Sequence, residues 1–133
     1  MASGLVQVEA NGLLNSSVKG TAYTAATTPV KMRLVTVIGS ATAAGTEVTG
    51  GSYTPQDTTT VTIWGAAASG SITNSAGALT FTGMPACTVV GIELWDNAGS
   101  PIRRWWGNLS ANKTVGAGDT ISFATSSITI SLA

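Results

Sequence analysis

Thr88–Ser110, TVVGIELWDNAGSPIRRWWGNLS, is the stretch whose reading decides the fold. It divides into two strands joined by a short turn, Asp96-Asn97-Ala98-Gly99-Ser100. It holds three of the four tryptophans and four of the twelve charged residues. On the first arm, alternation puts Val90, Ile92 and Leu94 on one face and Val89, Glu93 and Trp95 on the other. On the second arm Trp105 and Leu109 share a face, with Ile102 and Trp106 opposite. Large apolar groups on both faces mark a strand pair that is covered on both sides.

Working outward, Ala78–Thr82 sends Leu79 and Phe81 inward, and Thr120–Ala124 does the same with Ile121 and Phe123. In the last strand Ile128, Ile130 and Leu132 alternate with Thr129 and Ser131. Thr60–Gly65 reads as another strand, with Val61 and Ile63 inward and Trp64 outward, followed by Ser71–Asn74. Asn112–Gly118 reads as a turn. Toward the N-terminus, Val30–Ile38 places Met32 and Leu34 on one face and Lys31, Arg33, Val35 and Val37 on the other. These short strands, about eight of them at sandwich-like spacing, predict an all-β fold: an antiparallel, jelly-roll-like β-sandwich. Leu5–Lys19 is the one helical candidate, a short helix or an extended arm, and Thr21–Pro29 is a connector of small residues. The expected organisation is an arm or short helix with its connector over 1–29 and a sandwich over 30–133. Gly39–Thr59 is a long irregular segment carrying Glu47, Tyr53 and Asp57, read either as a contact loop or as a plain surface loop.

The 133 residues suffice for one domain with a single core. Only 9% are charged, six basic against six acidic, and the mean hydropathy is +0.31. A neutral surface with so few charges gives weak protection against association, which suits a protein held against copies of itself or a larger assembly. The balance gives no reason to expect nucleic acid as the main partner. No apolar run is long enough for a membrane helix, and MASGLVQVEANGLL lacks the basic segment and apolar core of a signal peptide.

Catalysis finds little to work with. Histidine is absent, which removes the commonest general base and metal ligand. The carboxylates Glu9, Glu47, Asp57, Glu93, Asp96 and Asp119 are scattered; Glu93 and Asp96 lie three apart on a strand and so face opposite ways. The Gly-rich segments lack the Lys-Ser/Thr of a phosphate loop, and Asp96-Asn97 reads as turn-shaping rather than calcium-binding. Cys87 stands alone at the start of an apolar strand, as a structural thiol would. No catalytic, cofactor-binding or metal-ligating residue is therefore expected, and no cofactor. What the residues offer is binding: Trp64, Trp95 and Trp106 as interface anchors, Arg103 and Arg104 beside them for cation–π stacking or ion pairing, and Tyr53 from the long loop. The competing reading of each tryptophan is simple core packing.

Four segments carry a family resemblance: EVTGGSYTPQ from Glu47, SITNSAGALTFTGMP from Ser71, VVGIELWDNAGS from Val89 and LSANKTVGAGDTISFATSSITISL from Leu109. In order and spacing, this part of the chain from Glu47 onward resembles small virion structural proteins of tailed double-stranded DNA phages, which are labelled head-decoration, minor tail or tail-fibre-like proteins. The resemblance implies a virion protein without catalytic residues. Its first form is a capsid decoration (cement) protein bound to the major capsid protein on the head surface as a homotrimer; its alternative is a minor tail, baseplate or tail-fibre component. From a different class comes a carbohydrate-binding module whose exposed Trp rings stack on a glycan.

Overall fold

The computed structural model describes residues 3–132. Its elements run β1 Ser3–Leu5, α1 Gln7–Lys19, β2 Lys31–Val37, β3 Thr46–Glu47, β4 Gln56–Asp57, β5 Ser71–Thr73, β6 Leu79–Phe81, β7 Cys87–Trp95, β8 Arg103–Val115, β9 Ile121–Phe123 and β10 Thr129–Ser131. A six-stranded antiparallel sheet has the order β1-β8-β7-β2-β3, with β4 also pairing to β2. Two small sheets, β5–β10 and β6–β9, complete an all-β sandwich with a short N-terminal helix.

The hairpin β7–β8 is the spine of the large sheet, and β2 zips onto its free side. Met32 faces Leu94 and Leu34 faces Ile92 across β2–β7. These residues point into one core with Val89, Leu79, Phe81, Met84, Ile121 and Ile128, most of them almost fully buried. The opposite face of the sheet carries the rows Arg33–Glu93–Trp106 and Val35–Gly91–Asn108. The alternation expected of β2 therefore holds, and both faces of the spine are covered, the second by the loop after β2.

Alternation fails in one place, for a physical reason. Val89 pairs with Lys113 but Gly91 pairs with Asn108, so residues 109–112 of β8 form an extended bulge. The slip turns Val89 onto the same core as Leu94, although their odd spacing would separate them in a regular strand. It also carries β8 through the expected Asn112–Gly118 turn as far as Val115, which is buried. The turn comes later, where Gly116 N–H donates to Asp119 Oδ2 at 2.7 Å.

Thr60–Gly65 is a second departure, because it forms no strand. Asp57 Oδ1 accepts from the amides of Thr59 (2.7 Å) and Thr60 (3.0 Å), winding the chain into a turn that leaves Val61 84% exposed while Ile63 enters the core. Those bonds, with the Thr60 and Thr59 side chains, hold the Asp57 carboxyl down at about 2. The helix departs in its packing. Gly20 ends it in the left-handed region (φ 70°), its amide and that of Thr21 bonding to Ser16 and Asn15 carbonyls, yet the only buried side chain on α1 is Glu9. Its aliphatic residues Val8, Leu14 and Val18 lie in solvent.

Asn74 ties the small sheets together. Fully buried, it donates from Nδ2 to the carbonyls of Gly77 and Ala124 (both 2.9 Å), and its Oδ1 accepts from Ile128 N–H at 2.8 Å. Truncation strands three backbone groups, so Asn74→Ala is expected to cost about 2–4 kcal/mol in urea unfolding, whereas an exposed neighbour such as Ser75→Ala stays within ~0.5 kcal/mol. Gly91 sits where β7, β8 and Ile38 converge: a Cβ there would lie 2.5 Å from the Gly107 carbonyl oxygen and 2.5 Å from Ile38 Cδ1. Gly91→Ala is expected to lower stability by roughly 1–3 kcal/mol through overpacking, and an unchanged denaturation midpoint would contradict that contact.

Candidate functional site

Four of the six candidate contact residues, Trp95, Arg103, Arg104 and Trp106, lie on the β7–β8 hairpin, so its connection comes first. Asp96 closes the loop: its amide donates to the Ile102 carbonyl at 3.0 Å, and its Oδ1 accepts from Ile102 (2.8 Å) and Ala98 (3.3 Å) amides. A register slip follows at once, since Leu94 pairs with Trp105 but Trp95 pairs with Arg103, leaving Arg104 as the extra residue. This slip lets two adjacent arginines reach separate acidic partners, three carboxylates in all.

Arg103 joins Glu93, with Nη1 3.0 Å from Oε1, and its Nη2 donates to the Ser40 carbonyl at 2.6 Å. Glu93 also accepts from Gly45 N–H (2.7 Å) and from the Trp95 indole N–H (2.9 Å). The loop after β2 is thereby pinned over the outer face of the sheet. Arg104 reaches Asp96 through Nη2 (2.8 Å) and Glu9 of α1 through Nη1 (2.6 Å), and donates to the Thr24 and Ala25 carbonyls. Tyr23 closes that network by donating to Glu9. Both arginines and all three acids are buried.

The electrostatics follow from burial set against these contacts. Burial alone would raise the Asp96 carboxyl, but hydrogen bonds from Ile102 N–H and the Arg104 guanidinium outweigh it and hold the group below its ordinary value. Burial likewise weakens the charge on Arg104, and the bonds to Glu9 and Asp96 more than restore it, raising its pKa. For Tyr23, burial and the neighbouring Glu9 both push the phenol upward.

Arg103 and Arg104, expected as outward contacts, are thus internal ion-pair centres; a fork of five donors so far from water must be saturated within the chain. Tyr53 also turns inward. Its hydroxyl accepts from Leu34 N–H at 2.9 Å and donates to Glu47 at 3.2 Å, while its ring stacks 6.0 Å from Phe81. Trp64, read as outward, packs half-buried against the core, as does Trp105. Trp95 and Trp106 remain on the outer face of the sheet. Arg33 lies 4.3 Å from the centroid of the Trp95 ring and bonds Glu47 at 3.3 Å. Trp106 stands across from Glu93, half-buried, with no hydrogen-bond partner for its indole N–H.

Sequence reasoning missed Glu9, 95 positions before Arg104, as the partner of that arginine, and Tyr23, 81 positions before it, as the donor to Glu9. It also missed an open groove of about 610 Å³ beside the bulged end of β8, where Trp105, Leu109, Phe123 and Ile130 meet Asn108 and Ser131. The Glu93–Arg103 pair had a local signal: the two lie on facing arms of one hairpin. The others depend on how the arm folds back and on the bulge. Among the described residues no three His, Cys, Asp or Glu side chains gather to hold a metal ion.

Two outcomes test this network. Arg104→Ala, which leaves Glu9 and Asp96 buried without their cation, is expected to cost about 3–5 kcal/mol of stability. For Asp96, whose folded pKa lies below the unfolded value of about 3.9, the linked stability is complete above that value and is lost as pH falls through the folded pKa. Thermal melts should therefore hold level from neutral pH to about 5 and fall in stronger acid, with Asp96→Asn showing a smaller acid loss from a lower starting point.

No curated protein matches the chain. A family model described as "Podophage GP4 fiber I protein gp80" matches residues 4–131, nearly all of the sequence. The match takes in both halves of the ion-pair network, from Glu9 on the helix to Arg104 on the hairpin, and both small sheets. It agrees with the resemblance to small virion structural proteins of tailed phages. The chain belongs to the Podophage GP4 fiber I protein gp80 family, a family of phage virion structural proteins.

Proposed function

We propose that this protein is a fibre subunit of a tailed-phage virion, a rigid β-sandwich that supplies contact surface rather than chemistry. The observation that carries the reading is the family match over residues 4–131, whose description names a fibre. The architecture supports it. Each buried carboxylate of the hairpin region is neutralised by an arginine, so Glu9, Glu93 and Asp96 are committed to holding shape. The outer face keeps Trp95 and Trp106 half-exposed, and a large aromatic ring on a fixed strand buries area against a neighbour at low entropy cost. In this reading the partners are further copies of the chain and an adjoining virion protein.

Capsid decoration, with homotrimers on the major capsid protein, uses the same surface and is the competing placement. Gold labelling of intact virions separates the two: a few symmetric appendages support the fibre, and a dense array over the head overturns it in favour of cement. The groove beside β8 favours an added role, since aromatic Trp105 and Phe123 beside Asn108 and serine hydroxyls are the chemistry that a neutral glycan meets. Glycan-array binding that Asn108→Ala abolishes would establish that role; an array with no signal would remove it.

For the contact face, Trp106→Ala is expected to keep a cooperative melt within roughly 1–2 kcal/mol of the parent, while its incorporation into particles falls severalfold. Full incorporation would assign Trp106 to the fold alone.

A further inference from the structure

Helix α1 turns an unusual surface to solvent. Val8, Leu14 and Val18 are 64%, 60% and 78% exposed, and the exposed residues Gln7, Asn11 and Asn15 share their side of the helix. At about 100° per residue, all six positions lie more than a quarter turn away from Glu9, the residue that fastens the helix to Arg104. They fall at 7/8, 11, 14/15 and 18, a spacing of about 3.5 residues, which is the period of a helix–helix seam. None of the six is ionisable. A helix face that serves only solvent is ordinarily rich in Lys and Glu, and aliphatic groups there lose the free energy of burial.

We infer that this stripe is a homotypic interface, on which α1 of one copy packs against α1 of another. Three features choose a second copy as the occupant. An amide side chain carries both donor and acceptor, so Gln7, Asn11 and Asn15 are each satisfied by their own symmetry mates, as a polar seam residue is in a coiled coil. With no charge in the stripe and a net charge of zero over the chain, like copies meet without repulsion. A membrane surface is disfavoured as occupant, because a helix built for lipid flanks its apolar face with several cations and α1 has only Lys19. The fastening of α1 by the Glu9–Arg104 pair then has a purpose: it presents the seam at a fixed angle to the sandwich. This inference goes beyond the fibre reading and holds equally for a subunit placed on the head.

Sedimentation velocity and light scattering on the full-length chain test it. Parent protein is expected to self-associate with rising concentration, and Leu14→Glu/Val18→Glu to weaken association by about tenfold or more, given the burial lost at two aliphatic sites per copy. Val61→Glu, at an aliphatic residue that is at least as exposed but not on the helix, should associate like the parent. Circular dichroism and a melt on each variant confirm the fold. As a second measurement independent of charge, Asn11→Cys in a Cys87→Ser background should form an interchain disulfide under mild oxidation, at the middle of the seam. A parent that stays monomeric at every concentration overturns the inference. So does an association that Leu14→Glu/Val18→Glu leaves intact.

Discussion

The hairpin depends on burying two adjacent positive charges, and most of the architecture can be traced to how that is done. Guanidinium groups removed from water require carboxylates and carbonyls in fixed positions. One slipped residue in β8 gives Arg103 and Arg104 separate partner sets drawn from five parts of the chain: α1, the connector before β2, the loop after β2, strand β7 and the turn of the hairpin itself. The apolar core supplies the bulk of the burial free energy but is indifferent to the placing of these segments. The charges are not, and they convert a sandwich with loose attachments into one with fixed ones.

Much of the fold could be read from period-two patterns. β2, β6, β7 and β9 fall where alternation of Val, Ile, Leu and Phe puts them, because a strand with one face on a core has little freedom in what it places there. The failures share a cause. Thr60–Gly65 alternates as well as any true strand, but Asp57 captures the amide of its first residue and that of Thr59 before it, and local capture costs less loop entropy than a distant ladder. Asn112–Val115 has the composition of a turn yet continues as strand, since Cys87, Thr88 and Val89 are already aligned to pair with it. In both cases a hydrogen-bond partner outside the window decided the outcome.

The candidate site was less legible. Placing the aromatic and cationic residues on the hairpin required only the sequence, and Trp95 and Trp106 do stand on its outer face. Telling a buried arginine from an exposed one required knowing where the carboxylates lay. Glu9 in particular sits on a helix whose sequence would assign it to the solvent face, and it becomes the most buried side chain of that helix. Tyr53, in a glycine-rich segment that reads as a surface loop, similarly completes an aromatic stack with Phe81.

The pairing of β1 with β8 has a consequence for trimming the chain. Ser3–Leu5 covers β8 only at Trp105–Gly107, yet among the described residues it is the last strand on that side of the large sheet. A chain beginning after Leu5 would leave the longest strand of the protein as an open edge, flanked by a half-buried tryptophan on each face, with its two arginines spent on internal ion pairs and only Lys113 exposed to discourage a visitor. Such a fragment is expected to polymerise edge to edge or precipitate. Three residues of backbone thus take up the ladder groups of β8 at the point where its two tryptophans stand on opposite faces.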